Sequence, residues 1–473
     1  MRYADELTGA VHLPGDAGYQ HARKLFIGRR PEVLPAAVVE CATEADIVAA
    51  LAFARRHGMP FALRGGGHSF AEHSTSAGLV IDLARLDHID HRPGRVVVGA
   101  GVQVGALTDQ LAEEDVVVPV GWCRSVGVVG AVLGGGYGVL GRYYGLGSDH
   151  LLSARVLLAD GRTVTASAAE HPDLFWALRG AGGGNFGVVL SMELRTRPAV
   201  PLVSVQCSWP YERAADVIDA WQHLTPAAPR TVNLELSVRA SDYPDKPPTI
   251  TLFGVVVGTG DADAALRGFP APAETLRTSV PPRVAARHSD YPGDNAEHAL
   301  LRLPEGEHPA LRIDRAEFFT RPMPRPIVDE LTAHLARDRR YACLRELELI
   351  PWGGALSDPS GGAFAHRDAR FLIKHTVQTG CNSKEELRIA AADWVDHSWA
   401  TTTAAGSGRT YPNYPDPALE DWPRAYYGAN LPRLRKIKAT YDPTGLFAFD
   451  QSLGTGEPRR WTSGQTPAEA PLT

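Results

Sequence analysis

Three glycine-dense loops lie early in the chain: RGGGHSF (64–70), AVLGGGYGVLGRYYGLG (131–147) and GAGGGNFG (180–187). Fixing a glycine costs more backbone entropy than fixing any other residue, so such runs need a reason. Without side chains, backbone N–H groups can crowd around phosphate oxygens. A long dinucleotide laid across one lobe would touch several such loops. Two residues with nucleophilic side chains stand beside them: His68 ends the first triple glycine, and Cys123 lies in the apolar, Gly-rich run that leads into the second.

Two other readings fail on spacing. Gly136-Tyr-Gly138-Val-Leu-Gly141 is formally GxGxxG, with Asp160 further on. That fingerprint needs a helix opening at its third glycine, to face the pyrophosphate; Gly145 and Gly147 would break it. The pairs His68/His73 and His88/His91 lack HExxH logic and a helping carboxylate, so no metal is expected.

The elements that must hold these loops are legible in part. Residues 36–58 read as a helix with Thr43 as N-cap. MPFALR is a short strand feeding the first loop. GLVIDLARLDHID and RVVVGAGVQV read as strands, VGALTDQLAEED as a helix and VVVPVG as a strand. HLLSARVLLADGRTVTASA reads as two strands joined at Asp160-Gly161. HPDLFWALRG is a short helix. RTRPAVPL, near residue 200, is a linker candidate. Beyond it, strands (VNLELSVRA, TITLFGVVVGTG) alternate with helices (AADVIDAWQHL, DADAALRGF, PIVDELTAHLA, SKEELRIAAADWVDHSWA), the pattern of an antiparallel sheet backed by helices. NLPRLRKIKATY is a helix ending before Pro443, and the last residues read as a disordered tail.

The chain has 473 residues, 44% of them hydrophobic, and a formal net charge of −6. It is long enough for two lobes. Nothing basic suggests nucleic acid, and no apolar run suggests a membrane span. Without an apolar leader or an Asn-x-Ser/Thr site, a cytoplasmic protein is expected. Five scattered cysteines lack CxxC spacing, which argues against a disulfide framework or zinc site.

Taken together, RGGGHSF (64–70), GWCRSVGVVGAVLGGGYG (121–138), GNFGVV (184–189), ELIPWGGA (348–355), YPNYPD (411–416) and LPRLRKIKATYDPTGLFAFDQSL (431–453) resemble the berberine-bridge-enzyme-like flavoproteins of the vanillyl-alcohol-oxidase fold group. The resemblance implies an α+β fold: a two-lobed PCMH-type FAD-binding domain (1–200 and 411–458), a substrate domain with an antiparallel sheet backed by helices (201–410), and a tail (459–473). It implies FAD held by two covalent links, His68 to the 8α-methyl carbon and Cys123 to C6. A neutral imidazole and a thiolate are suitable nucleophiles for an electron-poor flavin. The remaining cofactor residues carried over are Arg64, Gly65, Gly66, Gly67, Ser69, Val126, Gly127, Gly130, Gly134, Gly135, Gly138, Gly184, Asn185, Gly187, Val188 and Asn413. Val126 resembles an oxygen gate and implies reoxidation by O2 to H2O2.

By the same resemblance Tyr414 of Tyr411-Pro-Asn-Tyr414 is the candidate base, with a depressed pKa. Tyr137 is a second active-site tyrosine, and Tyr411 lines flavin or substrate. Trp352 and Lys374 face the cleft by analogy. Arg124 either assists the Cys123 thiolate or pairs with an acid. Trp209, Trp352, Trp394, Tyr411 and Tyr414 suit stacking on a sugar or planar aglycone. The expected activity is oxidation of an alcohol or hemiacetal carbon on a sugar-bearing or natural-product substrate by a monomer or homodimer. Three alternatives stay open: a flavin dehydrogenase or oxidative cyclase, an oligosaccharide oxidase, and a non-catalytic FAD-binding scaffold.

Overall fold

The run expected to be helical from residue 36 divides at Thr43. In the computed structural model, which describes residues 8–27, 32–121, 123–258, 261–282, 311–380 and 382–454, Ala37–Glu40 is a strand and the helix spans Glu44–Arg56. Thr43 accepts from the Asp46 N–H, and the Asp46 carboxylate accepts from the Thr43 N–H, a reciprocal cap that fixes where the helix starts. AVVE is buried on both faces, the mark of a strand inside a covered sheet rather than one stripe of a helix.

Strands β1 (Val11–His12), β2 (Ala37–Glu40), β3 (Phe61–Arg64) and β4 (Leu79–Asp82) form a sheet in the order β1-β2-β4-β3, with β2, β4 and β3 parallel. Strands β5 (Ile89–Arg92) and β6 (Arg95–Gly99) belong to a second, antiparallel sheet. VVVPVG supplies only β7 (Val116–Val117). Strands β8 (Leu151–Leu157), β9 (Thr163–Ser167) and β10 (Val188–Arg195) complete the second sheet in the order β5-β6-β10-β8-β9. The linker near residue 200 contains β11 (Arg197–Pro198), paired with β7.

The third sheet has seven antiparallel strands: β12 (Leu202–Trp209), β13 (Val232–Ala240), β14 (Thr249–Val257), β15 (Glu274–Val280), β16 (Leu311–Phe319), β17 (Cys343–Pro351) and β18 (Phe371–Thr379), ordered β15-β12-β14-β13-β17-β18-β16. Alternation assigns its two faces. Leu234, Leu236 and Val238 pack against helices Ala214–Leu224, Arg325–Ala336 and Glu385–Thr403. The opposite face, with Ser237 and Arg239, turns toward the glycine loops.

Two buried cations fasten the parts together. The Arg142 guanidinium donates to the carbonyls of Ala228 (2.7 Å), Val232 (2.8 Å) and Trp352, so the first lobe grips the third sheet. Lys438, on helix Leu431–Tyr441, donates to the Asn185 (2.6 Å) and Phe447 (2.7 Å) carbonyls and to the Asp442 carboxylate. The C-terminal segment thereby returns to the first lobe, where Tyr426, Tyr427, Leu434 and Ile437 join its core. The predicted tail and Cys381 lie outside the described residues.

Candidate active site

The triple glycine before His68 is answered by a second glycine. A Cβ on Gly66 would lie 2.3 Å from the Gly127 nitrogen, and one on Gly127 would lie 2.7 Å from that of Gly66. Only two glycines let the 64–70 and 121–130 loops touch backbone to backbone. Gly67, at φ +70, then turns the chain so that His68 follows at the lip of the contact.

These loops wall a cavity of ≈ 520 Å³ with Gly182–Gly184, the third sheet and the segment Tyr411–Pro415. His68 stacks on Phe26, with ring centroids 3.9 Å apart. Its Nε2 is 2.9 Å from Ser125 Oγ, which is 3.4 Å from Cys123 Sγ. Burial, aided by Arg312, pushes the His68 pKa down to about 3, so the imidazole is neutral with a lone pair to offer. Arg124 pairs with Asp109, the second of the two roles anticipated for it.

The tyrosines converge at the other side. The Tyr137 and Tyr414 hydroxyls hydrogen-bond to each other. The Tyr411 oxygen accepts from the Gly136 N–H (2.8 Å) and from Asn413 Nδ2 (3.0 Å), and Asn413 also donates to the Ala131 carbonyl (2.8 Å). Tyr411 is thus the brace that ties this segment to the second glycine loop. Lys374 Nζ lies 5.1 Å from the Tyr414 ring centroid and pairs with Glu348. Burial opposes the ammonium, but Glu348 and Tyr414 outweigh it and keep the proton on Lys374. The Tyr414 pKa corrects the sequence reading: burial raises it, and Lys374 and the Tyr137 hydrogen bond offset only part. Burial raises the Tyr137 pKa as well, and the hydrogen bond between the two hydroxyls raises Tyr137 while it lowers Tyr414, which makes Tyr414 the better placed of the pair to ionise.

The third sheet adds a polar wall of which only Lys374 was expected from the sequence. Ser237, Glu348 and Lys374 stand side by side across β13, β17 and β18, and the next row is Arg239, Glu346, Thr376 and Asp314. Of these, all but Asp314 line the cavity, with Arg312 and Gln378 beyond them. The signal was alternation: CLRELELIP and FLIKHTVQT place polar residues at every second position, which in a buried sheet means a face turned to a polar space.

Of the predicted residues, His68, Cys123, Gly65, Gly66, Gly67, Ser69, Val126, Gly127, Gly130, Gly184, Gly187, Val188, Asn413, Tyr137, Tyr411, Tyr414 and Lys374 line this cavity. Arg64, Gly134, Gly135, Gly138 and Asn185 do not. Arg64 is buried in an ion pair with Asp82 and also donates to the Ala22 carbonyl. A Cβ on Gly134 would strike Asn413, and one on Gly138 would lie 2.5 Å from the Val120 carbonyl oxygen. Gly135, at φ +125, faces Phe364 and Tyr411. Asn185 accepts from the Leu453 N–H (2.9 Å) and helps anchor the returning segment. Trp352 is fully buried behind Tyr137, and Trp209 and Trp394 sit in the core under the helices, so none of the three can stack on a ligand here. The GxGxxG glycines open only the one-turn helix Gly141–Tyr144, which Gly145 ends at φ +98.

The glycine floor from three loops, the neutral imidazole and the nearby thiol fit a flavin dinucleotide. Comparison with known proteins agrees. A family model described as FAD binding domain matches residues 35–167, and one described as berberine and berberine like matches 410–454. The chain is 30% identical over 465 residues to the uncharacterized FAD-linked oxidoreductase YvdP of Bacillus subtilis, covering 95% of this chain and 98% of that one. It is 29% identical to the xylooligosaccharide oxidase of Thermothelomyces thermophilus, covering 89% and 88%. The solved carbohydrate oxidase from Microdochium nivale superposes with a TM-score of 0.80 at 25% identity, covering 95% and 98%. No helix among the described residues is long and apolar enough to cross a membrane. A glycine-floored cavity backed by paired tyrosines, in a chain aligned almost end to end with such relatives, makes this an FAD-dependent oxidoreductase of the berberine-bridge-enzyme-like family.

Proposed function

We propose that this chain is an oxidase of alcohol or hemiacetal carbons, with FAD attached through His68 and Cys123. When bound, FAD accepts the hydride of the substrate C–H bond and passes two electrons to dioxygen, giving H2O2. The observation that carries this reading is the hydroxyl pair Tyr137–Tyr414 under the Lys374 ammonium, in one cavity with His68 and Cys123. Tyr414 takes the substrate hydroxyl proton, and the phenolate it needs is favoured by the Lys374 charge and by the Tyr137 O–H. Glu348 holds Lys374 in place. Val126 lines the cavity wall, and its resemblance to the family's oxygen gate supports reoxidation by dioxygen.

The wall supports a polyhydroxylated substrate. Glu346 and Arg239 are register partners, and the side chains of both face the cavity. A carboxylate that accepts from hydroxyls beside a guanidinium that donates to them recognises vicinal diols. The oligosaccharide-oxidising relatives favour a saccharide or a glycosylated natural product, and a composition rich in Gly and Pro favours tailoring of a secondary metabolite. The test is peroxide release per turnover over a panel of oligosaccharides and glycosylated natural products. Stoichiometric H2O2 with substrate oxidation is expected. Substrate oxidation without peroxide would favour a dehydrogenase, and flavin that no substrate bleaches anaerobically would favour a scaffold.

A further inference from the structure

Ser125 stands between the two residues expected to anchor the flavin. Its Oγ is 2.9 Å from His68 Nε2 and 3.4 Å from Cys123 Sγ. We propose that Ser125 is a proton relay that couples the two attachments, so that the His68 link forms first and then helps Cys123 react. The inference rests on the covalent FAD reading above.

The geometry sets the direction of each transfer. With Nε2 engaged by Ser125, Nδ1 is the ring nitrogen left to act as nucleophile, and the proton sits on Nε2 and points at Oγ. Forming the N–C bond replaces a C–H bond of the 8α-methyl group, whose hydrogen leaves as a proton. The ring is then cationic. Burial, which already holds this imidazole neutral, drives the Nε2 proton off to water. Nε2 now has a lone pair, and the Ser125 bond reverses: Oγ–H donates to Nε2 and Oγ accepts from the Cys123 thiol. The thiol proton crosses to the imidazole, and the thiolate forms the S–C bond in place of the C6–H bond. Each attachment releases two protons and two electrons overall, and each pair of electrons reduces one dioxygen to H2O2.

The position of Ser125 is enforced by the fold. Its turn is closed by the Val126 N–H to the Cys123 carbonyl (3.2 Å). The same turn is pinned to helix Val104–Ala112 by the N–H groups of Val104 and Gly105, which donate to the carbonyls of Val126 (2.9 Å) and Arg124 (2.8 Å). The Gly66–Gly127 contact brings His68 to it from the other loop. Ser125 is therefore a positioning and relay residue for attachment, with no part assigned in turnover.

The test follows flavin on tryptic peptides by mass spectrometry, in full-length protein sampled at intervals after a short induction. Wild type should carry flavin on the His68 peptide before the Cys123 peptide. Ser125→Ala should load His68 at the wild-type rate and Cys123 roughly tenfold more slowly or worse, the scale of a lost hydrogen bond to a charged group. Ser125→Thr should restore the rate. His68→Ala keeps Ser125 but removes the acceptor, and should also slow Cys123 loading at least ~10-fold, which gives a second reading if the serine variant does not fold. An unchanged Cys123 rate in folded Ser125→Ala or in His68→Ala would overturn the relay while leaving the two-link reading intact. Wild type without flavin on Cys123 would overturn both.

Discussion

Lys374→Met removes the cation over Tyr414. The ammonium lies 5.1 Å from the phenol ring; Lys374 is buried and Tyr414 half-buried against the same aromatic cluster. Coulomb's law at an effective dielectric of ~20 gives about 3 kcal/mol for that 5.1 Å separation, or about two pH units on the phenol. Glu348 loses its partner but adds little repulsion, because without the cation that holds it ionised burial favours its neutral acid. The sign for activity follows from the role: only the phenolate is a base, and the Tyr414 pKa is raised, so the rate climbs with pH at about tenfold per unit. The variant should run parallel to wild type about 100-fold lower at every pH, corresponding to the two-unit shift. The assay is kcat/KM for peroxide release between pH 6 and pH 10, with flavin content and circular dichroism measured on each preparation. A fall under about threefold, with flavin and fold unchanged, would refute the idea that this cation tunes the base.

Tyr414→Phe should lower kcat by roughly 10²–10⁴-fold with flavin retained, and an unchanged rate would remove Tyr414 from the reaction. Gly66→Ala should lower flavin content and cost about 1–3 kcal/mol in a denaturant melt, since its Cβ has no room beside Gly127; a fully loaded, equally stable variant would contradict the loop contact. Glu317, whose carboxylate accepts from the Gly408 N–H, has its pKa raised to about 7 by burial. Its proton is kept in the fold after the unfolded chain has lost it, so stability should fall as pH rises from 4.5 to about 7, by about 3 kcal/mol in all. Glu317→Gln should flatten that slope and be the more stable protein at pH 8; an unaltered slope in urea melts would count against it. Arg142→Met should cost at least ~3 kcal/mol, because two buried carbonyls and a half-buried one lose a charged donor.

The loops were the most legible part of the chain, because glycine runs announce a close backbone approach locally, and His68 and Cys123 beside them do line the cavity. The helices of the second half were legible for the same reason: an apolar stripe at helical spacing states which side is covered. Strands β16, β17 and β18 were not read, although they supply Arg312, Glu346, Glu348 and Lys374. LRIDRAEFF and CLRELELIP are as charged as surface strands: Arg312, Glu346 and Glu348 turn to the cavity, whereas Arg315, Glu317 and Arg345 are buried on the other face, where Arg315 pairs with Asp396 and Asp416 and Arg345 donates to the carbonyls of Arg337 and Asp338. Tryptophans misled for a related reason. Trp209 and Trp394 are large and aromatic, but strand register places Trp209, and the inward face of helix Glu385–Thr403 places Trp394, in the helix-side core, and nothing local distinguishes a stacking tryptophan from a packing one. The Tyr414 pKa was misread because the role was inferred from residue type, whereas the sign depends on burial. Arg64 was grouped with the glycines beside it, yet its side chain points back under the loop to Asp82, its register partner on β4.

The account stands on two side chains of the first lobe being joined to one flavin. Intact-mass analysis of the purified, acid-precipitated protein, followed by sequencing of its tryptic peptides, tests this directly. The account predicts one added FAD per chain that survives precipitation, with His68 and Cys123 both modified and cross-linked through it. Unmodified His68 and Cys123 peptides, with all of the FAD left in the supernatant, would contradict it.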